Sequence, residues 1–301
     1  MIPVLRRHKV LDRPNARSSH RTATPRGGGL APVAIVLCIW AGLAFAGRAP
    51  PSIAAVVVGA TLLAAVSWLD DLHSLSPALR LLVHAAAVAI GLLALPAPTA
   101  LFPLYYAGLG LLWAWWLNLF NFMDGIDGIA GSQAAAIGGG LLLFAAAGGG
   151  VDPPIALLAA VVLGAAFGFL PFNWAPAQVF LGDVGSTALG YFSGFLLLDL
   201  ATRGHWRVAL ILPLYFLADA TITLGRRLLR GERVWQAHRE HFYQQAVRRG
   251  HSHAAVTGRV VAADVVLVLL GWTAENGWPA VSLAAAGATV AGLLYLLAKG
   301  I

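Results

Sequence analysis

PSIAAVVVGATLLAAVSWLDD, residues 51–71, runs without a charge until it closes on Asp70 and Asp71. At 1.5 Å per residue, the stretch from 51 to 69 is about 28 Å long in an α-helix, matching a bilayer hydrocarbon core of roughly 30 Å. The same texture extends in both directions. Of 301 residues, 59% are hydrophobic and 11% charged, against about 25% charged in globular chains, and mean hydropathy is +0.76. These values exclude an ordinary soluble domain. Lipid satisfies no backbone polar group, so only helices or a closed barrel can span it, and continuous rather than alternating apolar runs select helices. Ten such runs are present: 30–46, 51–69, 81–95, 101–122, 129–147, 154–172, 186–201, 207–224, 259–274 and 278–298. The expected fold is an all-α polytopic membrane protein of about ten transmembrane helices, a single domain over 1–301.

Charge orients the weave. Residues 1–28 carry seven basic residues and no apolar core of signal-peptide type, so they read as a basic cytoplasmic loop. If all ten runs cross, 70–80, 118–128, 173–185 and 225–258 share that side. Seventeen of the 20 Lys and Arg then lie there, leaving Arg48, Arg203 and Arg207 opposite. The net charge of +7 is thereby a topology signal, and without an aromatic-interleaved basic module no nucleic-acid partner is expected. The single cysteine, Cys38, excludes an internal disulfide framework and reads as a small packing residue. Trp113, Trp115 and Trp116 read as lipid-contact and interface residues.

Thirteen acidic residues are present. Ten of them, including Asp219 and Asp264, are expected on the cytoplasmic side. Asp70, Asp71, Asp124, Asp127 and Asp183 come from three loops on that face, with Gly125, Gly128, Gly182 and Gly185 beside them. Several carboxylates at one wet edge suit a hard divalent cation that takes carboxylate, phosphate and water oxygens, magnesium above all. Arg21, Arg26 and the 225–258 loop would complete a polyanion site. Two other readings stay open on residues alone: carboxylates paired with arginines to fasten loops, and a cation- or proton-coupled transporter.

Four strings narrow the choice: LDRPNARSSHRTATPRGGG from Leu11, the Asp70–Asp71 pair, NLFNFMDGIDGIAG from Asn118 and PAQVFLGDVGS from Pro176. In this order they resemble the motifs of the polyprenyl-phosphate N-acetylhexosamine-1-phosphate transferases, the membrane family that includes phospho-N-acetylmuramoyl-pentapeptide transferase. A fifth, AHREHFYQQAVRRG from Ala237, is similar to the histidine loop of the branch that initiates O-antigen chains and differs from the His-His-His run of the peptidoglycan branch. Family members ordinarily carry a further helix before the RSSH loop. A truncated gene start and a ten-span variant both fit that difference.

The resemblance implies transfer of a sugar-1-phosphate from a UDP-N-acetylhexosamine to polyprenyl phosphate, with release of UMP at the cytoplasmic face of a bacterial inner membrane. It implies Mg²⁺, with Mn²⁺ as a substitute, held by Asn121 and Asp183. Asp70 would sit near the attacking lipid phosphate as base or positioning group, and Asp71 would support the metal or its waters. Asn118, Asp124, Asp127 and Phe180 would read the uridine, while His20, Arg21 and Arg26 line the diphosphate. On a helix, His238 and His241 would share a face over the donor. A homodimer is compatible with the family. Outside it, His84 reads as a hydrogen-bonded packing residue and Asp219 as a partner for Arg226 and Arg227.

Overall fold

The computed structural model describes residues 1–12, 14, 22–96, 102–234, 236 and 238–300. Among the described residues the apolar runs of the sequence fold as helices, one of them with a break, and the helix starts are chemically marked. Ser76 accepts from the Leu79 N–H (3.3 Å) ahead of Pro77, and Ser252 accepts from the Ala255 N–H (3.1 Å). Pro153 and Pro279 occupy first-turn positions where no N–H is needed. The order is α1 (Ile2–Arg7), β1 (Leu11–Asp12), β2 (Thr24–Pro25), α2 (Leu30–Phe45), α3 (Ile53–His73), α4 (Pro77–Gly91), α5 (Phe102–Phe122), α6 (Ile129–Ala146) and α7 (Pro153–Asn173). Then come α8 (Gly182–Leu200), α9 (Trp206–Ile211), α10 (Leu214–Leu229), α11 (Phe242–Arg248), α12 (His253–Glu275) and α13 (Pro279–Lys299).

Among the described residues, seven helical stretches are long and apolar enough to cross a membrane: Ile53–His73, Pro77–Ala94, Ile129–Ala146, Pro153–Asn173, Gly182–Ile211, His253–Glu275 and Pro279–Lys299. α2 is apolar but shorter. The protein is thus a multi-pass, all-α membrane protein. The eighth run, 207–224, is broken: α9 stops at Ile211 and α10 restarts after Pro213, which lacks the N–H to continue the ladder. Upstream, α8 passes through a π-helical turn with Gly204 at φ 99° into α9.

Two segments expected as loops are structured. In the first 28 residues, α1 precedes an antiparallel pairing of Leu11 with Pro25 and Asp12 with Thr24. In 225–258, α11 folds as a separate short helix.

α8 is the hub, packing on α2, α3, α5, α6 and α7, and it is buried along most of its length. Close approach is bought with glycine. The Tyr191 hydroxyl of α8 donates to the Ala87 carbonyl (2.9 Å), and a Cβ on Gly59 or on Gly91 would lie 2.2 Å from that oxygen. Small residues at such crossings let membrane helices gain van der Waals contact.

Two of the three tryptophans expected at the lipid boundary belong to this core. Trp113 and Trp116 are buried, whereas Trp115 is 38% exposed. Trp113 donates to the Tyr191 carbonyl and Trp116 to Ser193 Oγ, each at 3.0 Å. With its N–H satisfied, a large ring loses nothing by burial. Cys38, expected as a packing residue, faces outward.

Candidate active site

α3 ends in the αL residue Ser74, whose N–H returns to the Asp70 carbonyl at 2.9 Å, so Asp70 and Asp71 lie in its last turn. Asp70 Oδ1 accepts from the Leu75 N–H (2.5 Å) and Oδ2 from Arg80 Nη1 (3.1 Å). The Asp71 carboxylate reaches across to α8, accepting from the Asp183 N–H (3.1 Å) and the Val184 N–H (3.2 Å). It therefore fills the positive end of α8, where free N–H groups attract an anion. Arg26 Nε stands 3.4 Å from the same carboxylate, and Arg26 also donates to the Asp71 carbonyl.

The glycine run before α2 makes this junction possible. Gly28 N–H donates to the Phe180 carbonyl and Gly29 N–H to the Leu181 carbonyl, both at 2.9 Å. A Cβ on Gly29 would stand 2.3 Å from the Gly185 Cα. The three-glycine stretch therefore does more than turn the chain into α2: it lays the Arg26 segment directly against the start of α8.

Asp183, in the first turn of α8, keeps its side chain 35% exposed, in contact with Asp70 and 3.7 Å from Arg80 Nη1. Asn121, near the end of α5, accepts from Ser186 Oγ (2.6 Å), which ties it to the same turn of α8. Burial, together with the Asp183, Asp71 and Asp127 carboxylates around it, pushes the Asp124 carboxyl well above the ordinary carboxylate range. Thus Asp70, Asp71, Asp183, Asn121, Asp124, Arg26 and Arg80 converge at one end of the bundle.

The uridine residues expected from the sequence separate into three places, with Asp124 among the carboxylates just described. Asp127 and Phe180 line a cavity of about 390 Å³ with Thr24, His251 and His253. There the Asp127 carboxylate accepts from the Ala177 N–H (3.1 Å) and faces His253 Nδ1 (3.1 Å). Asn118 instead is turned into the helices, hydrogen-bonded to His84 Nδ1 (3.0 Å) and to the Ala114 carbonyl (2.7 Å). This is the hydrogen-bonded packing expected of His84. Arg21 and His20 lie outside the described residues.

His238 and His241 are adjacent, with ring centroids 4.8 Å apart, yet not on one helical face: α11 begins only at Phe242. His241 is buried on Asp219, with Nδ1 3.2 Å from Oδ1. Asp219 also accepts from the Phe242 and Tyr243 N–H groups and from the hydroxyls of Tyr215 and Thr223. Its expected arginine partners go elsewhere, because Arg227 pairs with Glu232 and Glu240 and Arg226 lies over the Phe242 ring. His238 is less buried, and burial with the neighbouring His241 and Arg227 lowers its pKa to about 4.

Two residues passed over in the sequence matter here. Asn173 is buried and joins the Gly128 N–H (3.0 Å) to the Val179 carbonyl (3.0 Å), linking two of the site loops. Arg80 is the cation between Asp70 and Asp183. Asp264 was expected with the cytoplasmic carboxylates, but it sits midway along α12.

Among the described residues, no three His, Cys, Asp or Glu side chains form a ready ligand cage. A magnesium ion does not require one, because it keeps several waters and takes one or two carboxylates plus substrate phosphate oxygens. The part-exposed Asp183 carboxylate, the Asn121 amide oxygen and the mutually repelling carboxylates around Asp124 are hard oxygen donors of that kind, so the residues present fit such an ion.

The family model for glycosyl transferase family 4 matches residues 53–201. A Bacillus subtilis protein described as a probable undecaprenyl-phosphate N-acetylglucosaminyl 1-phosphate transferase is 28% identical over 271 residues, covering 83% of this chain and 74% of the relative. The phospho-N-acetylmuramoyl-pentapeptide-transferase of Mycolicibacterium smegmatis is 30% identical over 290 residues, 74% of this chain and 78% of its own. That of Mycobacterium marinum is 32% identical over 282 residues, with 73% and 77% covered.

Proposed function

Because this chain belongs to glycosyl transferase family 4, and its relatives are described as a probable undecaprenyl-phosphate N-acetylglucosaminyl 1-phosphate transferase and as phospho-N-acetylmuramoyl-pentapeptide-transferases, we propose that it transfers an N-acetylhexosamine-1-phosphate from a UDP-sugar to polyprenyl phosphate, opening a lipid-linked surface glycan of the O-antigen kind. One observation carries this reading: a part-exposed Asp183 set among Asp70, Asp71, Arg26 and Arg80 at one end of a membrane bundle.

In the reaction, an acceptor phosphate oxygen bonds to the sugar-linked phosphorus. The bond from that phosphorus to the bridging oxygen breaks, and UMP leaves with the electron pair. Both reactants are anions, so repulsion is the main obstacle and positioned cations are the main remedy. A bound Mg²⁺, held by Asp183 and Asn121, would neutralise diphosphate charge. Arg26 and Arg80 hold phosphate oxygens in line. Asp70 orients Arg80, and Asp71 orients Arg26 while fixing the first turn of α8. A phosphate monoester is largely ionised at neutral pH, with a second pKa of about 6 in phosphorylated side chains, so no strong base is required. The cavity of Asp127 and Phe180 suits a uracil ring, with a carboxylate for its edge and an aromatic for its face.

The site faces the cytoplasm of a bacterial inner membrane in this reading, in keeping with the one-sided distribution of basic residues. Purified protein with undecaprenyl phosphate, Mg²⁺ and a panel of UDP-N-acetylhexosamines is expected to release UMP with at least one donor and none with UDP-N-acetylmuramoyl-pentapeptide. Silence with every donor would refute the activity, and turnover of the pentapeptide donor would refute the choice of sugar class.

A further inference from the structure

Asp264 lies midway along the 23 residues of α12, about 16 Å from either end at 1.5 Å per residue. It is 2% exposed, and among the described residues neither carboxyl oxygen has a hydrogen-bond partner. Ser132 Oγ on α6, a residue 6% exposed, is also unpartnered. Both side chains line a cavity of about 460 Å³ between α6, α7 and α12, a size ordinary for a small-molecule site. Burying such groups without partners is costly, and ionisable residues at membrane depth are usually functional.

The direction of access selects the ligand. Leu143, Phe167, Val265 and Leu269, which also line the cavity, are exposed on the outer face of the bundle. The opening thus faces hydrocarbon. A hydrated cation would have to cross that hydrocarbon, whereas a neutral molecule with an apolar body arrives by lateral diffusion. A hydroxyl supplies what the cavity lacks: an O–H donor for the Asp264 carboxyl and an oxygen to accept from Ser132.

We propose that this cavity binds a lipid-soluble alcohol, a neutral apolar molecule carrying one hydroxyl, anchored by Asp264 with Ser132 as its second polar contact. The inference stands independently of the transferase reading, since it uses neither the nucleotide cavity nor the carboxylates at the end of the bundle.

The test is photolabelling in lipid nanodiscs with a diazirine-bearing decanol and with its methyl ether, mapped by peptide mass spectrometry. In the wild type the alcohol is expected to label α6, α7 and α12 about five- to tenfold more than the ether, the effect of one hydrogen bond. Asp264→Leu removes that preference, and Asp264→Asn, which keeps a carbonyl acceptor, retains it. Gly139→Leu lowers labelling by both probes by filling the cavity, at a position where a Cβ meets only Leu163 Cδ1 at 3.8 Å. Equal labelling by alcohol and ether, or a preference that survives Asp264→Leu, overturns the proposal. Undiminished labelling of Gly139→Leu does the same. Should Asp264→Leu not fold, the wild-type comparison and Gly139→Leu still decide.

Discussion

Replacing Asp71 with alanine tests the claim that this carboxylate holds the site together rather than reacting. The side chain is 1% exposed and accepts two N–H groups from the first turn of α8 at 3.1 and 3.2 Å. Removing a helix-capping acceptor costs about 1 to 2 kcal/mol. Because Val184 is buried, its N–H gains little water in compensation, which favours the upper figure. Arg26 is 31% exposed, so its lost ion pair adds only about 0.5 to 1 kcal/mol after solvent screening. The sum is about 3 kcal/mol for Asp71→Ala. Asp71→Asn keeps one acceptor oxygen and should lose about 2 kcal/mol on the same basis. Taking roughly 2 °C per kcal/mol for a chain of this size, Tm should fall by about 6 °C and 4 °C respectively. The assay is intrinsic tryptophan fluorescence of the purified protein during heating. Trp68 makes a suitable reporter, since it packs against Gly27 in the same junction. Asp183→Asn is the control: its side chain is 35% exposed, so Tm should move by no more than about 1 °C. An Asp71→Ala protein melting within 1 °C of wild type, or one no less stable than Asp183→Asn, would refute the capping role.

Chelation should abolish UMP release. Asp183→Asn and Asn121→Ala should each lower turnover by on the order of 10² with folding intact, and near-normal turnover in either would remove that residue from the metal set. For His238, with its pKa lowered to about 4, the unfolded chain binds the proton first as pH falls. Stability should therefore be flat above about pH 6.5 and decline between 6.5 and 4, a slope that His238→Gln flattens; an unchanged slope in thermal melts would remove His238 as its source. Cysteines introduced at 75, 178 and 240 should be shielded from impermeant reagents in intact cells while those at 49, 151, 204 and 276 are labelled, and labelling at 240 from outside would break the topology.

The helices were legible because bilayer thickness imposes a length on apolar runs, and that constraint needs no partner. The break at Pro213 was visible in principle, but within 207–224 a proline reads as a kink until neighbouring helices fix the two halves. Residue chemistry also located the carboxylate end, since Asp70, Asp71 and Asp183 follow or open apolar runs. It did not separate Asp71, bound to backbone N–H groups of α8, from Asp183, left part-open, because that division depends on how α3 meets α8. Arg80 and Asn173 were missed for a similar reason. A lone arginine beside an apolar run reads as a topology mark, and an asparagine bridging two loops shows its worth only when both loops are in place. His241 was misjudged by assuming a helix one turn too early. Trp113 and Trp116 were misassigned because composition cannot say which face of α5 meets α8.

The Tyr191 hydroxyl, set between α3 and α4, ties three distant positions into one unit of inheritance. With a Cβ at Gly59 or Gly91 lying 2.2 Å from that oxygen, neither glycine can acquire a side chain while the tyrosine stays in place. Loss of the hydroxyl alone frees neither site, because a Cβ would still lie 2.8 Å from the Ala87 carbonyl oxygen at Gly59 and 2.6 Å from the Trp113 ring at Gly91. Among descendants of this sequence, alanine at 91 should therefore appear on backgrounds that already carry smaller residues at both 191 and 113, while 59, which faces backbone as well, should stay glycine, and the order of those changes along a family tree would show whether the crossing has been drifting or held.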